Sequence, residues 1–345
     1  MYETKDNLNR QTDRQTDRQT DRQSVRQSVS QTVSQTVRRN FSIDLLKLFA
    51  ALCVVLIHIN FPSHIGTFFH YFIDFAVPIF FITSGYFSYD IINNKDYKKI
   101  YLRIKSLIVI FLFGLLYFSI TDILLNGYLH YFSFFTRIKT YIMIFPFNSF
   151  NNYYFIPLWF VLALIYTYIA LLFILKFNIR VLFKVSIVLY FSSQIVFSYL
   201  YSNYTISDMY TKFFVFSAMP IFFIGYFIRK YQDVFSNKKF SVIILVISLI
   251  MIIFDKLFYD TKYLLLSIAM FSTALAYPVY CNNKKLVYVI SKLPLYIYII
   301  HCPIIHLLNR YPVNSMLQPI LVILFSIIIS LVFILISEQT KREAN

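Results

Sequence analysis

Apolar runs dominate this chain and constrain its fold more than any other feature. From residue 41 onward they recur at about 43–60, 72–89, 105–125, 153–175, 182–201, 213–228, 240–255, 262–281, 287–306 and 317–337. Each approaches the length a helix needs to cross a hydrocarbon core about 30 Å thick. A backbone in lipid must satisfy its own polar groups, which selects the helix over an open sheet. The expected fold is therefore an all-α polytopic membrane protein with ten transmembrane helices. Only 14% of residues are charged, against about 25% in soluble domains. That excludes a soluble enzyme, a fibrous protein and a disulfide scaffold.

The net charge of +16 would suggest a nucleic-acid partner in a soluble chain. Here the basic residues sit in short segments between apolar runs, and no nucleic acid is expected. With the N-terminus in the cytoplasm, 25 Lys and Arg fall on inside segments and 6 on outside segments, with Lys47 inside the first run. That asymmetry predicts an N-in/C-in topology. Residues 1–40 are different material. Arg-Gln-Thr-Asp units give way to RQSV and SQTV units, a polar low-complexity tract expected to form a disordered tail. A four-residue period is the shortest that a triplet code shares with a four-base repeat, so the tract also reads as a translated tetranucleotide repeat whose slippage would switch the frame. Residues 41–337 form the expected transmembrane domain, and 338–345 a cytoplasmic C-terminal tail.

Ionisable groups at membrane depth are costly and point to function. Lys47 and His58 lie 11 residues apart in the first run, close to three helical turns, which puts both on one face. By helical rise His58 stands about 22 Å above the start of its run, and His301 about 21 Å above the start of the ninth. Two histidines on helices running in the same direction thus reach matched depth, and an imidazole can serve as a base near neutral pH. Alternative readings remain: an interfacial His58, a snorkelling Lys47, and a His301 that serves the carbonyl freed by Pro303. Thr83, Ser84 and Gly85 lie mid-run, suited to close helix packing or to lining a cavity beside His58. Asp74, at the outer end, is either an orienting partner for His58 or a solvated helix end. Lys95, Lys98, Lys99, Arg103 and Lys105 cluster in one inner loop, set there by topology or by an anionic ligand carrying phosphates. Cys53, Cys281 and Cys302 show no metal-ligand spacing, and five scattered glycines make no nucleotide-binding loop. No metal is expected.

Four segments carry a resemblance. They are Lys47-x10-His58, Phe80-Phe-Ile-Thr-Ser-Gly85, Leu158-Trp159-Phe160 and Tyr296-Ile-Tyr-Ile-Ile-His-Cys-Pro303. In this order and on these runs, the chain resembles the acyltransferase-3 family of ten-span membrane O-acyltransferases over about residues 40–337. The resemblance implies an acyl-CoA donor, acetyl-CoA first, on the cytoplasmic side. It also implies a hydroxyl acceptor on a cell-surface glycan, such as a capsular polysaccharide or lipopolysaccharide, or on its lipid-linked precursor. It further implies a stand-alone enzyme in the lipid of a bacterial inner membrane. By that likeness His58 is the catalytic histidine and Lys47 stands where relatives carry arginine; His301, at matched depth, is assigned within the catalytic group to positioning the acceptor or donor. Lys98, Lys99 and Arg103 are candidates for the donor's phosphates, and Asp74, Ser84 and Trp159 for the acceptor. Pro78 stands where many relatives carry an acid. Direct transfer and a covalent step on Ser84 or Cys302 both remain open, as does the oligomeric state. The competing class is a transporter or flippase of a glycan precursor, although no repeat relates the two halves of the chain.

Overall fold

The computed structural model describes residues 40–127, 144, 157–177, 179–203, 213–253 and 261–343. The repeat tract before Asn40 and most of residues 128–156 lie outside the described residues. Thirteen helices are described: α1 (Phe41–His58), α2 (Ser63–Ile73), α3 (Ala76–Tyr86), α4 (Tyr89–Asn93), α5 (Tyr97–Asn126), α6 (Leu158–Ile174), α7 (Ile179–Asn203), α8 (Ala218–Lys230), α9 (Gln232–Phe235), α10 (Lys238–Ile253), α11 (Thr261–Ala276), α12 (Lys284–Leu308) and α13 (Gln318–Glu343). No strand occurs among the described residues. Five stretches are helical, long and apolar enough to cross a membrane: Phe41–His58, Tyr97–Asn126, Phe183–Leu200, Lys284–Leu308 and Gln318–Gln339. The protein is a polytopic α-helical membrane protein.

Local chemistry sets the helix ends. The Asn40 side chain caps α1 by accepting from the Ser42 amide at 3.0 Å, and its Nδ2 donates to the Ala274 carbonyl. Ser42 Oγ donates to the Tyr277 carbonyl and accepts from the Val279 amide, which stitches the start of α1 to the end of α11. Asp96 caps α5 by accepting from the Lys99 amide at 3.0 Å, and its second oxygen meets the Lys99 ammonium at 3.0 Å. The Lys99 amide and then its ammonium hold the Asp96 carboxyl below its usual range. Gly127 ends α5 at φ +77°, in the left-handed region that favours glycine.

The second apolar run is not one helix. It takes in the last residues of α2, all of α3 and the first residue of α4, with Asp74 as the C-cap of α2 and a break at Asp74-Phe75. Pro78 supplies the reason, since it has no N–H to give the preceding turn. Three residues into a fresh helix, that missing donor is one of the four the helix leaves unpaired anyway.

Burial sorts the long helices into two groups. α1 and α12 bury 56% and 61% of their apolar stretches, α5 and α13 only 17% and 22%. The former form the interior, and the exposed Leu, Ile, Val and Phe of the latter suit lipid. The closest crossing joins α3 to α8. A Cβ at Gly85 would overlap the Phe222 carbonyl, and a Cβ at Gly225 would overlap the Ile82 carbonyl. Two glycines thus let two backbones touch reciprocally. Because each obstacle is backbone, no side-chain rotation relieves it.

Gly85→Ala and Gly225→Ala should each destabilise the protein by about 1–3 kcal/mol through overpacking. Gly114→Ala should cost less, because its added methyl meets Leu158 Cδ2 at 2.7 Å, the movable end of a side chain. Thermal unfolding of the three variants in detergent checks the order, and equal losses would refute the crossing's special role.

Candidate active site

The last residue of α1 and the middle of α12 bring two histidines together. The rings of His58 and His301 stand 5.2 Å apart between centroids, tilted by 32°. His301 is fully buried, while His58 is half-buried at its helix end. The His301 Nδ1 lies 3.0 Å from the Ile297 carbonyl one turn back. A carbonyl only accepts, so in the neutral ring Nδ1 carries the proton and Nε2 the lone pair. Cys302 Sγ, 3.3 Å from that Nε2, donates its thiol proton to it. Within this group, one atom each from His58, His301 and Cys302 lie within 4.8 Å of one another.

A cavity of about 340 Å³, within the size range of small-ligand sites, reaches as far as Tyr298, whose ring stands 6.2 Å from His301; neither histidine lines it. Phe80, Thr83 and Ser84 of α3 form one wall, and Ser291, Pro294 and Tyr298 of α12 another. Lys47 and Arg103 are its cationic lining residues. Along α12, Ser291 to Tyr298 is about 10 Å of rise, and His301 stands about 4.5 Å further on. Tyr298 is the element between cavity and histidines. Its ring lies 5.6 Å from Phe160, 6.5 Å from Phe80 and 6.2 Å from His301. Its hydroxyl is buried and has no hydrogen-bond partner among the described residues.

The structure separates the sequence-expected residues into groups. His58 and His301 meet. Lys47, Ser84 and Arg103 line the cavity instead. Lys47 stands three turns from His58 and is paired with Asp44 at 3.1 Å. The Ser84 hydroxyl donates to the Phe80 carbonyl at 2.8 Å, which directs its proton to its own helix. Lys98 and Lys99 are exposed at the start of α5 and do not line the cavity, and Lys99 is occupied by Asp96. Trp159 packs 6.1 Å from Phe81, beside the cavity-lining Phe160. Asp74 stands half-buried at the α2 C-cap. Sequence reasoning missed Asp44, which lies three residues before Lys47 and so beside it on a helix. It also assigned no role to Tyr298, although i and i+3 spacing puts that residue on the His301 face.

A buried hydroxyl without a partner costs about 1–3 kcal/mol. Tyr298→Phe removes that cost with little change of shape, so it should leave the melting temperature in detergent unchanged or raised. A marked fall would show that the hydroxyl holds the fold together.

No curated protein and no solved structure matches the chain. The acyltransferase-3 family model, described as an acyltransferase domain, matches residues 40–338. That span contains both histidines and every described residue of the cavity. The chain belongs to the acyltransferase-3 family, and this membrane protein is an acyltransferase.

Proposed function

We propose that the protein moves an acyl group, acetyl in the first instance, from cytosolic acyl-CoA to a hydroxyl of a cell-surface glycan or its lipid-linked precursor. The chain then crosses a bacterial inner membrane ten times, with both termini in the cytoplasm. The observation that carries this reading is the meeting of two histidines from different helices, one of them 6.2 Å from Tyr298, which lines a cavity that also holds Lys47 and Arg103. In this topology the ends of the cavity-lining helices that carry those cations face the cytosol. A guanidinium suits phosphate oxygens, so Arg103 takes the donor's phosphates and the apolar walls take its arm. The thioester then lies toward Tyr298.

His58 acts as general base. Its ring is half-buried at the end of α1, whereas His301 is fully buried and its Nε2 takes the proton of the Cys302 thiol. As His58 takes the hydroxyl proton, the oxygen attacks the thioester carbon. The carbon–sulfur bond breaks, and CoA leaves as the thiol once it regains that proton. His301, locked to its own helix by Ile297, positions His58. Ser84 needs no covalent role here, because its proton already serves the Phe80 carbonyl.

His58→Ala should insert normally yet lose about 10²- to 10⁴-fold in kcat, the usual contribution of a general base. His58→Gln should be nearly as inactive. Transfer from labelled acyl-CoA to acceptor in native membranes measures both. Retention of more than about a tenth of activity, outside the general-base range, overturns the role of His58.

The donor assignment has its own test. Arg103→Gln should raise the donor KM several-fold and leave the acceptor KM unchanged, because only the donor carries phosphates to that cation. The double variant Lys98→Gln, Lys99→Gln should change the donor KM less. Equal shifts from both would remove the cavity's claim on the donor.

A further inference from the structure

Three potential metal ligands converge at the histidine pair, and nothing in the transfer reaction requires the third. We propose that His58, His301 and Cys302 form a binding site for Zn²⁺, and that zinc occupancy reversibly inhibits the enzyme. The inhibitory part rests on the catalytic role given to His58, whereas the binding part does not.

Geometry supports the site in three ways. First, a tetrahedral zinc with bond lengths of about 2.0–2.3 Å holds its N and S ligands about 3.4–3.6 Å apart. The His301 Nε2 and Cys302 Sγ are already 3.3 Å apart, and all three ligand atoms lie within 4.8 Å of one another. Closing the longest of these separations takes about 1 Å, within reach of side-chain rotation at His58, which ends its helix. Second, a metal-binding histidine usually donates its other ring N–H to a carbonyl, which fixes the tautomer and aims the lone pair. His301 already does so through Nδ1 to Ile297, leaving Nε2 for a cation. Third, the donor set is two imidazoles and a thiol. That combination suits zinc, leaves a fourth position for water, and differs from the oxygen-rich sets of magnesium or calcium.

The pattern escapes any search of the sequence because its ligands come from two helices, and the adjacent His301 and Cys302 do not make a metal motif alone. Binding is balanced simply. Cys302 coordinates as thiolate and releases its proton to solvent, and no electron moves. Both imidazoles give their lone pairs to the ion, so His58 can no longer accept a proton from the acceptor hydroxyl. A chelator restores it.

The test uses the full-length protein in detergent. Zn²⁺ titrated against a chromogenic chelator should show one site, and Co²⁺ in its place should give thiolate-to-metal charge-transfer absorption. Cys302→Ala should abolish that absorption and weaken Zn²⁺ by at least about 10- to 100-fold, the scale on which even outer partners weaken metal sites. Cys53→Ala and Cys281→Ala should change neither. Should Cys302→Ala fold poorly, His58→Ala serves as the second ligand variant, read by metal affinity alone. Acyl transfer by the unaltered protein should fall with Zn²⁺ and return with EDTA, while whatever transfer Cys302→Ala shows should be insensitive to Zn²⁺. Absent charge-transfer absorption, or unchanged affinity in Cys302→Ala, overturns the site. Tight binding without inhibition overturns its regulatory role. A protein that binds Zn²⁺ through Cys302 but transfers no acyl group would leave the metal site standing and defeat the catalytic reading instead.

Discussion

The backbone contact between α3 and α8 is the constraint on which the interior depends. Lipid tails are as apolar as leucine, so helices in a bilayer gain little from hiding apolar surface against each other. Close van der Waals approach has to supply the attraction, and Gly85 and Gly225 provide it by removing the only atoms in the way. With α3 seated there, Phe80, Thr83 and Ser84 stand as one wall of the cavity. The packing of α3 and α11 against α1 in turn supports the helix that carries Lys47 and His58.

On α12 three functions follow one another along a single helix. Ser291, Pro294 and Tyr298 line the cavity, the Tyr298 hydroxyl has no partner among the described residues, and His301 comes one turn later. Burying a polar ring costs free energy unless its polar atoms find partners. His301 meets that requirement with the Ile297 carbonyl and the Cys302 thiol. Tyr298 does not, and its hydroxyl stands buried with no hydrogen-bond partner among the described residues. Lys47 shows the opposite arrangement, for its charge is matched by Asp44 three residues away. The first helix can therefore keep an ammonium at the cavity without leaving it uncompensated.

Much of this was legible in the sequence, and the reason is local. In lipid a helix closes its hydrogen bonds within one segment, so the apolar runs alone indicate where helices form. Five of the ten runs hold helices long and apolar enough to cross a membrane, and the second run breaks at Asp74-Phe75, ahead of Pro78. Helical rise placed His58 and His301 at matched depth before any contact was known, because rise per residue is nearly constant. The resemblance to the acyltransferase-3 family was likewise carried by short segments within single runs.

What only the tertiary structure decided is which faces meet. Apolar residues surround most of these helices, so composition does not tell the side that faces lipid from the side that faces protein. Hence the sequence grouped Lys98, Lys99 and Arg103 by proximity, whereas the fold sends only Arg103 to the cavity and leaves Lys99 on Asp96. The sequence likewise placed Lys47 with His58 because they share a face, yet three turns of helix put one at the cavity and the other against His301. The convergence of Cys302 with both histidines was hidden for the same reason. Depth follows from counting residues along one helix, but partnership depends on the rotation and neighbours of two, and those are set by where backbones can touch.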